Sequence, residues 1–137
     1  MVKGIMNAVG CIFLLANVSF GQHVVNAEAI QPTEDFDNVH VVKIAGDSLA
    51  TQFVIWVKDT VPTHHHVWHS ETIYVLEGEA KLYIGNTMKI IKKGDLIFMP
   101  KQNNHAVKVI SKEPMKVLSI QSPGFYGEDR VFEPKKE

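Results

Sequence analysis

The chain has 137 residues, which is the usual length of one domain and enough to bury a core without disulfide bonds. Hydrophobic residues make up 45% of it and charged residues 21%, as in ordinary globular proteins, and the formal net charge is −1. Because no basic stripe runs along the chain, this charge gives no reason to expect nucleic acid or an anionic membrane as a partner.

The first 21 residues predict a secretory signal peptide. After a segment with a single lysine comes an apolar run, VGCIFLLANVSF, over residues 9–20. This run is shorter than the roughly 20 apolar residues that cross a bilayer. Ser19 and Gly21 place small residues where signal peptidase needs them, so we expect the mature chain to begin at Gln22. The protein is therefore predicted to be exported, either periplasmic or secreted, with no stable membrane span after cleavage.

Two alternatives stay open for this segment. Cleavage after Ala27 would use a second group of small residues, and an uncleaved signal would anchor the protein to a membrane. Cys11 is the only cysteine and lies inside the predicted signal. A cleaved chain would therefore contain no disulfide, thiolate ligand or cysteine nucleophile, and its chemistry must use histidine, carboxylate or hydroxyl groups.

Residues 22–38 show no clear periodicity and predict a loose leader to a domain that spans residues 39–137. In the domain, short stretches rich in valine, isoleucine, tyrosine and phenylalanine alternate with turn residues, and no window sustains helical spacing. An all-β sandwich or barrel is therefore expected. The predicted strands are 39–45, 50–58, 72–78, 80–85, 88–92, 95–100, 105–110 and 115–121.

The stretch PTHHHVWHSE at residues 62–71 contains four histidines and a glutamate. Side chains alternate faces along a strand, so His64 and His66 would share one face and His65 would point to the other. Glu71 opens the next predicted strand, where a hairpin would bring it beside the two histidines. His105 precedes a later strand. The alternative is a surface patch with adventitious metal affinity.

Two motifs in this chain resemble those of the cupins. The first is His64-x-His66-x4-Glu71-x6-Gly78, and the second is Gly94-x5-Pro100-x4-His105. The string YVLEGE, which begins at Tyr74, is also common in that family. Together with their flanking strands, the motifs cover residues 40–122, almost the whole predicted domain.

The resemblance implies a small jelly-roll barrel, also called a double-stranded β-helix. It further implies a divalent transition metal, since the family's usual ligands match His64, His66, Glu71 and His105, and it implies a possible homodimer through sheet contacts. The chain departs from the family pattern at three turn or framing positions, Lys58, Gln102 and Val109. At the second of these the family often has glycine, and we expect the following Asn103 and Asn104 to supply the left-handed turn.

His69 lies two residues before Glu71, and the sequence leaves four roles open for it. It could support the ligands, act as a general base, serve as a fifth ligand, or be a plain loop histidine at the barrel mouth. Four aromatic residues of the domain are predicted to pack in the core or at the rim of the barrel. One of them, Trp68, is the exception to watch, because it adjoins the ligands in sequence. They are Phe53, Trp56, Trp68 and Phe98.

Strand alternation also predicts what lines the barrel. Three pairs of aliphatic residues should face inward, which makes the cavity largely apolar: Ile73 and Val75, Leu82 and Ile84, and Val107 and Val109. On the last predicted strand, Ser119 and Gln121 compete with Leu118 and Ile120 for the inner face. Since no second carboxylate or lysine is placed for proton transfer, epimerase and isomerase chemistry is disfavoured.

These features predict a metal-binding protein whose ligand or substrate is a small molecule. Iron, manganese, nickel, copper and zinc all suit a site of nitrogen and oxygen donors. The first hypothesis is a metal-dependent, dioxygenase-like enzyme that acts on a small, partly apolar molecule. The alternatives are a non-catalytic module that binds or senses metal and ligand, and a structural cupin without metal.

Overall fold

The computed structural model describes residues 24–127 and 129–134, and all of the regular structure in this part of the chain is β. The predicted signal peptide and Cys11 lie outside the described residues. No helix in the described part is long and apolar enough to cross a membrane. The strands are β1 Val39–Gly46, β2 Thr51–Val57, β3 Thr60–His66, β4 Ser70–Glu77, β5 Glu79–Ile84, β6 Thr87–Lys92, β7 Leu96–Met99, β8 His105–Val109, β9 Met115–Ser122 and β10 Arg130–Phe132.

The ten strands form two antiparallel five-stranded sheets. One sheet has the order β1-β2-β9-β4-β7, and the other has the order β10-β3-β8-β5-β6. Side chains from both sheets meet in a single hydrophobic core, to which the first sheet contributes Val75 and the second Leu82. The chain is therefore a two-sheet jelly roll, and the prediction of an all-β barrel is confirmed.

All eight predicted strands are present, but two strands were not in the predicted set. One is β3, TVPTHHH, in which a proline and three histidines interrupt the strand pattern, although the faces predicted for its histidines already assumed extended backbone there. The other is β10, which has only three residues and follows Gly127. Its pairing with β3, rather than its own composition, makes it a strand.

The inward residues follow the predicted alternation. Val75, Leu82 and Val109 belong to the buried core, and Ile73, Ile84 and Val107 pack against it. Ser119 and Gln121 are buried, whereas Leu118 and Ile120 are only half-buried. The sequence left open which face of β9 points inward, and the structure turns the face with Ser119 and Gln121 toward the barrel interior.

The four aromatic residues divide into two groups. Phe53 and Trp56 are buried, as predicted, but Trp68 is 72% exposed and Phe98 is 63% exposed. Phe98 alternates with the buried Met99 on β7, which is an edge strand, so it points away from the core. The packing prediction is therefore wrong for Phe98, whereas Trp68, which the sequence set apart because it adjoins the ligands, is exposed in the β3–β4 turn.

The segment before β1 is attached to the barrel, in contrast to the loose leader that was expected. Lys116 is only 1% exposed, and its ammonium group donates hydrogen bonds to the carbonyl oxygens of Glu28 at 2.7 Å and Ile30 at 2.8 Å. A buried ammonium needs such partners, since an uncompensated charge inside a protein is costly. These bonds hold residues 28–30 against β9.

The turn between β7 and β8 contains the one described residue other than glycine with a positive φ, Gln102 at 63°. The left-handed conformation was expected at Asn103 or Asn104, and the structure places it one residue earlier. In this conformation the amide of Gln102 donates a hydrogen bond of 2.6 Å to the carbonyl oxygen of His66. The turn therefore ties the end of β3 to the segment that leads into His105.

A Gln102→Gly variant should be more stable than the native protein. Left-handed backbone costs an L-residue about 1–2 kcal/mol, and glycine avoids this cost. Glycine also gives the unfolded chain more conformational freedom, which offsets part of the gain. We expect the free energy of unfolding, measured by urea denaturation, to rise by about 0.5–1 kcal/mol. A Lys101→Gly variant is the control, because Lys101 does not have a positive φ. Equal destabilisation by both glycines would contradict this account of the turn.

Candidate metal centre

Four polar side chains from three strands converge inside the barrel. His64 and His66 lie on β3, Glu71 lies near the start of β4, and His105 opens β8 directly opposite His64. Each is at least 94% buried. The structure therefore brings together all four residues that the two motifs indicated.

The donor atoms are close enough to share one ion. One nitrogen from each of His64, His66 and His105 lies within 4.8 Å of the other two. The Oε2 atom of Glu71 is 3.5 Å from Nε2 of His66 and 4.0 Å from Nε2 of His105. Metal bonds to imidazole nitrogen and carboxylate oxygen are about 2.1 Å long, so these separations suit ligands around a single ion.

Backbone carbonyls fix which nitrogen two of these imidazoles present. The Nδ1 atom of His64 lies 2.8 Å from the carbonyl oxygen of Pro62, and Nδ1 of His105 lies 2.8 Å from that of Asn103. A carbonyl only accepts hydrogen bonds, so each Nδ1 must carry the proton. The lone pair of Nε2 is then free to bind a metal, as is usual for histidine ligands.

The unpaired ring nitrogens of His66 indicate whether a metal fits the site. Both of its ring nitrogens are buried, and neither has a hydrogen-bond partner among the described residues. Buried polar atoms are nearly always satisfied, because leaving one without a partner costs free energy. A metal ion bound at Nε2 would remove part of this cost, and the donor set of three imidazoles and one carboxylate suits a divalent transition ion.

Glu71 is held as a charged carboxylate. Its Oε1 atom accepts a short hydrogen bond from the hydroxyl of Ser119 and a longer one, 3.4 Å, from Nε2 of Gln121. Burial by itself would raise the pKa of Glu71, but the close approach of His66 and the bond from Ser119 outweigh it and lower the pKa to about 2. Ser119 and Gln121 thus orient the carboxylate and leave Oε2 facing the histidines.

Burial favours the neutral form of three histidines at the centre, His64, His69 and His105. Burial lowers the pKa of His64 to about 4, and the nearby positive charge of Arg130 acts in the same direction. Burial also lowers the pKa of His105 and of His69. Since only neutral imidazole binds a metal, these shifts favour a site that is ready for an ion at neutral pH.

His65 points away from the centre, as strand alternation predicted. It is half-buried, and its Nδ1 atom lies 3.0 Å from Oδ1 of Asn104 on the outer side of β3. Its other polar neighbour, Oε1 of Glu133 at 3.9 Å, also lies away from the four convergent side chains.

His69 is buried beside the centre, so it is not a plain loop histidine at the mouth. Only 2% of it is exposed, its ring lies 4.3 Å from that of His66, and its Nδ1 atom contacts Oδ2 of Asp129. Asp129 also accepts hydrogen bonds from the amides of Val67 at 3.0 Å and Trp68 at 2.7 Å. This carboxylate therefore fixes both the β3–β4 turn and the ring of His69.

Asp129 is a site residue that the sequence did not indicate. It follows the last predicted strand, in the segment that leads into β10, and comes 60 residues after His69. With His66 and His69 it forms a second group of close donor atoms. Because its oxygens already accept several hydrogen bonds, we interpret it as the support of His69 rather than as a ligand.

A cavity extends from the four residues into the barrel. Water-sized molecules can reach about 70 Å³ of it. Apart from the candidate ligands, its walls are mainly aliphatic, as the predicted inward residues implied. They include Ile55, Ile73, Leu82, Ile97, Val107 and Val117.

Comparisons with known proteins agree with this architecture. The family model described as "Cupin domain" matches residues 51–121. An uncharacterized protein of Aquifex aeolicus is 33% identical over 95 residues, which cover 69% of this chain and 78% of that protein. Quercetin 2,3-dioxygenase of Bacillus subtilis is 24% identical over 95 residues, which cover 66% of this chain but 28% of the longer enzyme.

Among solved structures, an uncharacterized conserved protein with a double-stranded beta-helix domain from Klebsiella pneumoniae has a TM-score of 0.69. It is 19% identical, and the match covers 84% of this chain and all of that one. At this identity the likeness concerns the fold alone.

Replacing His66 by alanine should weaken metal binding far more than replacing its neighbour His65. The first change removes an inward donor, and the second removes an outward one. We expect the dissociation constant for Zn(II) or Ni(II), measured by calorimetry on untagged protein, to rise by roughly 100-fold or more for His66→Ala and by less than about threefold for His65→Ala. Equal losses in the two variants would contradict the assignment of faces.

Proposed function

This chain belongs to the cupin family, and on that premise we propose that it is an exported cupin that binds one divalent metal ion. His64, His66, Glu71 and His105 are the proposed ligands. The observation that carries this proposal is the convergence of four buried donors, of which His66 has no other partner for its ring nitrogens. Iron, manganese, nickel, copper and zinc are all compatible with this donor set.

We further propose that the protein is an enzyme with a dioxygenase-like reaction on a small, partly apolar molecule. A six-coordinate ion held by these four side chains would keep two positions for small molecules, and a redox-active metal would supply oxygen chemistry there. The aliphatic cavity beside the four residues supports an apolar substrate and the exclusion of water. The similarity to quercetin 2,3-dioxygenase favours the same reaction class.

A second candidate function is a binding or sensing module without turnover. It is supported by the cavity lining, in which Glu71 is the only carboxylate among the described residues and is already bonded to Ser119 and Gln121. A site without a free proton-transfer group is poorly equipped for reactions that need one. Metal-centred oxidation and simple binding are the functions that this lining leaves open.

Oxygen consumption separates the two candidates. Protein loaded anaerobically with Fe(II), and in parallel with Mn(II) or Cu(II), would be exposed to air-saturated buffer with flavonols and small phenolic substrates. We expect uptake of oxygen that requires both metal and substrate and that Glu71→Gln reduces by about two orders of magnitude or more. His65→Ala is the matched control and should keep the native rate. Absence of uptake with every metal, while the substrates still bind, would favour the binding module.

Export is proposed from the first 21 residues. The measurement is the intact mass of the protein recovered from the periplasm or medium of producing cells. A chain that begins at Gln22 is expected, and a chain that keeps residues 1–21 in the membrane fraction would support the anchored alternative.

A homodimer through sheet contacts is also proposed. It is supported by an exposed apolar face on β4 and β7 that carries Tyr74, Leu96 and Phe98. Native mass spectrometry of the same sample measures how many chains the assembly contains. A mass equal to that of a single chain at micromolar concentration would contradict the dimer.

A further inference from the structure

The short strand β10 places two side chains beside the metal centre. In its antiparallel pairing with β3, Arg130 lies opposite His66 and Phe132 lies opposite His64. Directly opposed residues project from the same face of a sheet, and here that face is the inner one. The ring of Phe132 is accordingly 5.6 Å from the ring of His64. Arg130 therefore stands on the inner face next to His66.

Arg130 also lies where the barrel opens to solvent. β1 and β10 are the outer strands of their respective sheets, and the opening has Val41 on one side and Phe132 on the other. Water-sized molecules can reach about 470 Å³ of it. Ile55, His66 and Arg130 line both this opening and the inner cavity. Arg130, which is itself exposed, thus lies where the opening and the inner cavity meet.

The choice of residue at this position suggests recognition of an anion. Of the 14 lysine and arginine residues in the chain, Arg130 is the only arginine. Guanidinium is always charged, and its planar fork of N–H donors matches the two oxygens of a carboxylate, which the ammonium of lysine cannot do. The aromatic ring of Phe132, 5.8 Å away, helps to hold the guanidinium in place.

The other residues that line the opening indicate what the uncharged part of the ligand would be. Val41, Phe53, Phe125 and Phe132 are apolar, and Gln121 is a neutral amide. The one carboxylate among the described wall residues, Asp129, already accepts hydrogen bonds from the β3–β4 turn and contacts His69. An apolar body would pack on these walls while its charged group pairs with Arg130. A bound divalent ion would add further positive charge beside Glu71 and strengthen the preference for an anion.

We propose that Arg130 recognises the carboxylate of the natural ligand and that this ligand is a small organic acid with an apolar or aromatic body. The proposal rests on the function proposed above, since it names the class of molecule that the same metal centre would take. Arg130 is a specificity-determining residue in this account, and the metal ligands remain as assigned.

The single arginine permits a direct test on the unaltered protein. Phenylglyoxal modifies guanidinium groups, so full-length Zn(II)-loaded protein should gain its arginine adduct at one position, identified by mass after digestion. Benzoate, phenylacetate and hexanoate are the probes, each compared with its neutral amide at the same concentration and ionic strength. We expect at least one acid to slow modification of Arg130 by about fivefold or more, while its amide leaves the rate unchanged. Equal protection by acid and amide, or no protection by any acid, would overturn the proposal.

Binding measurements on variants separate this inference from the metal assignment. Arg130→Met should weaken binding of the protecting acid by about tenfold or more, Arg130→Lys should weaken it less, and Zn(II) affinity should stay native in both. Lys89→Met is the matched control for loss of one positive charge, because Lys89 lies on β6, at the far edge of the same sheet. Native acid affinity in Arg130→Met with Zn(II) bound would overturn this inference alone. Failure of the native protein to bind any divalent ion would instead overturn the proposed function.

Discussion

The burial of three imidazoles and a carboxylate inside one small barrel is the constraint on which the rest of the structure depends. Polar groups removed from water are costly unless they are paired, and His66 has no protein partner for either ring nitrogen among the described residues. A divalent metal ion could bind one donor atom from each of the four side chains. The pairing of β3 with β8 makes this arrangement possible, since it sets His64 opposite His105.

A layer of hydrogen bonds around the four residues prepares them for that role. Carbonyl oxygens of Pro62 and Asn103 select the tautomers of two histidines, and Ser119 and Gln121 orient Glu71. Such supporting bonds fix ligand orientation, and burial lowers the pKa of His64 and His105, which favours their neutral forms. A different segment lines the opening between β1 and β10. Asp129 and Arg130 both follow the last long strand, β9, and this segment folds back over β3. The centre and its mouth are thus built by separate parts of the sequence.

Much of this arrangement could be read from the sequence, because strands alternate strictly. Alternation alone separated His65 from His64 and His66, and the two spaced motifs indicated Glu71 and His105. The sequence could not indicate β10, whose three residues become a strand only through pairing with β3, so Asp129 and Arg130 went unnoticed. The left-handed turn was expected at an asparagine on propensity, whereas the hydrogen bond to the carbonyl of His66 requires it at Gln102. Phe98 was expected to pack because it is large and apolar, yet its position on an edge strand leaves it exposed.

The most direct measurement is X-ray absorption at the metal edge of untagged protein, combined with metal analysis of the same sample. The account predicts roughly one divalent ion per chain, with about three imidazole nitrogens and one carboxylate oxygen near 2.1 Å, and loss of one imidazole in His105→Ala. A chain that binds no ion, or an ion whose coordination is unchanged when His105 is removed, would contradict it.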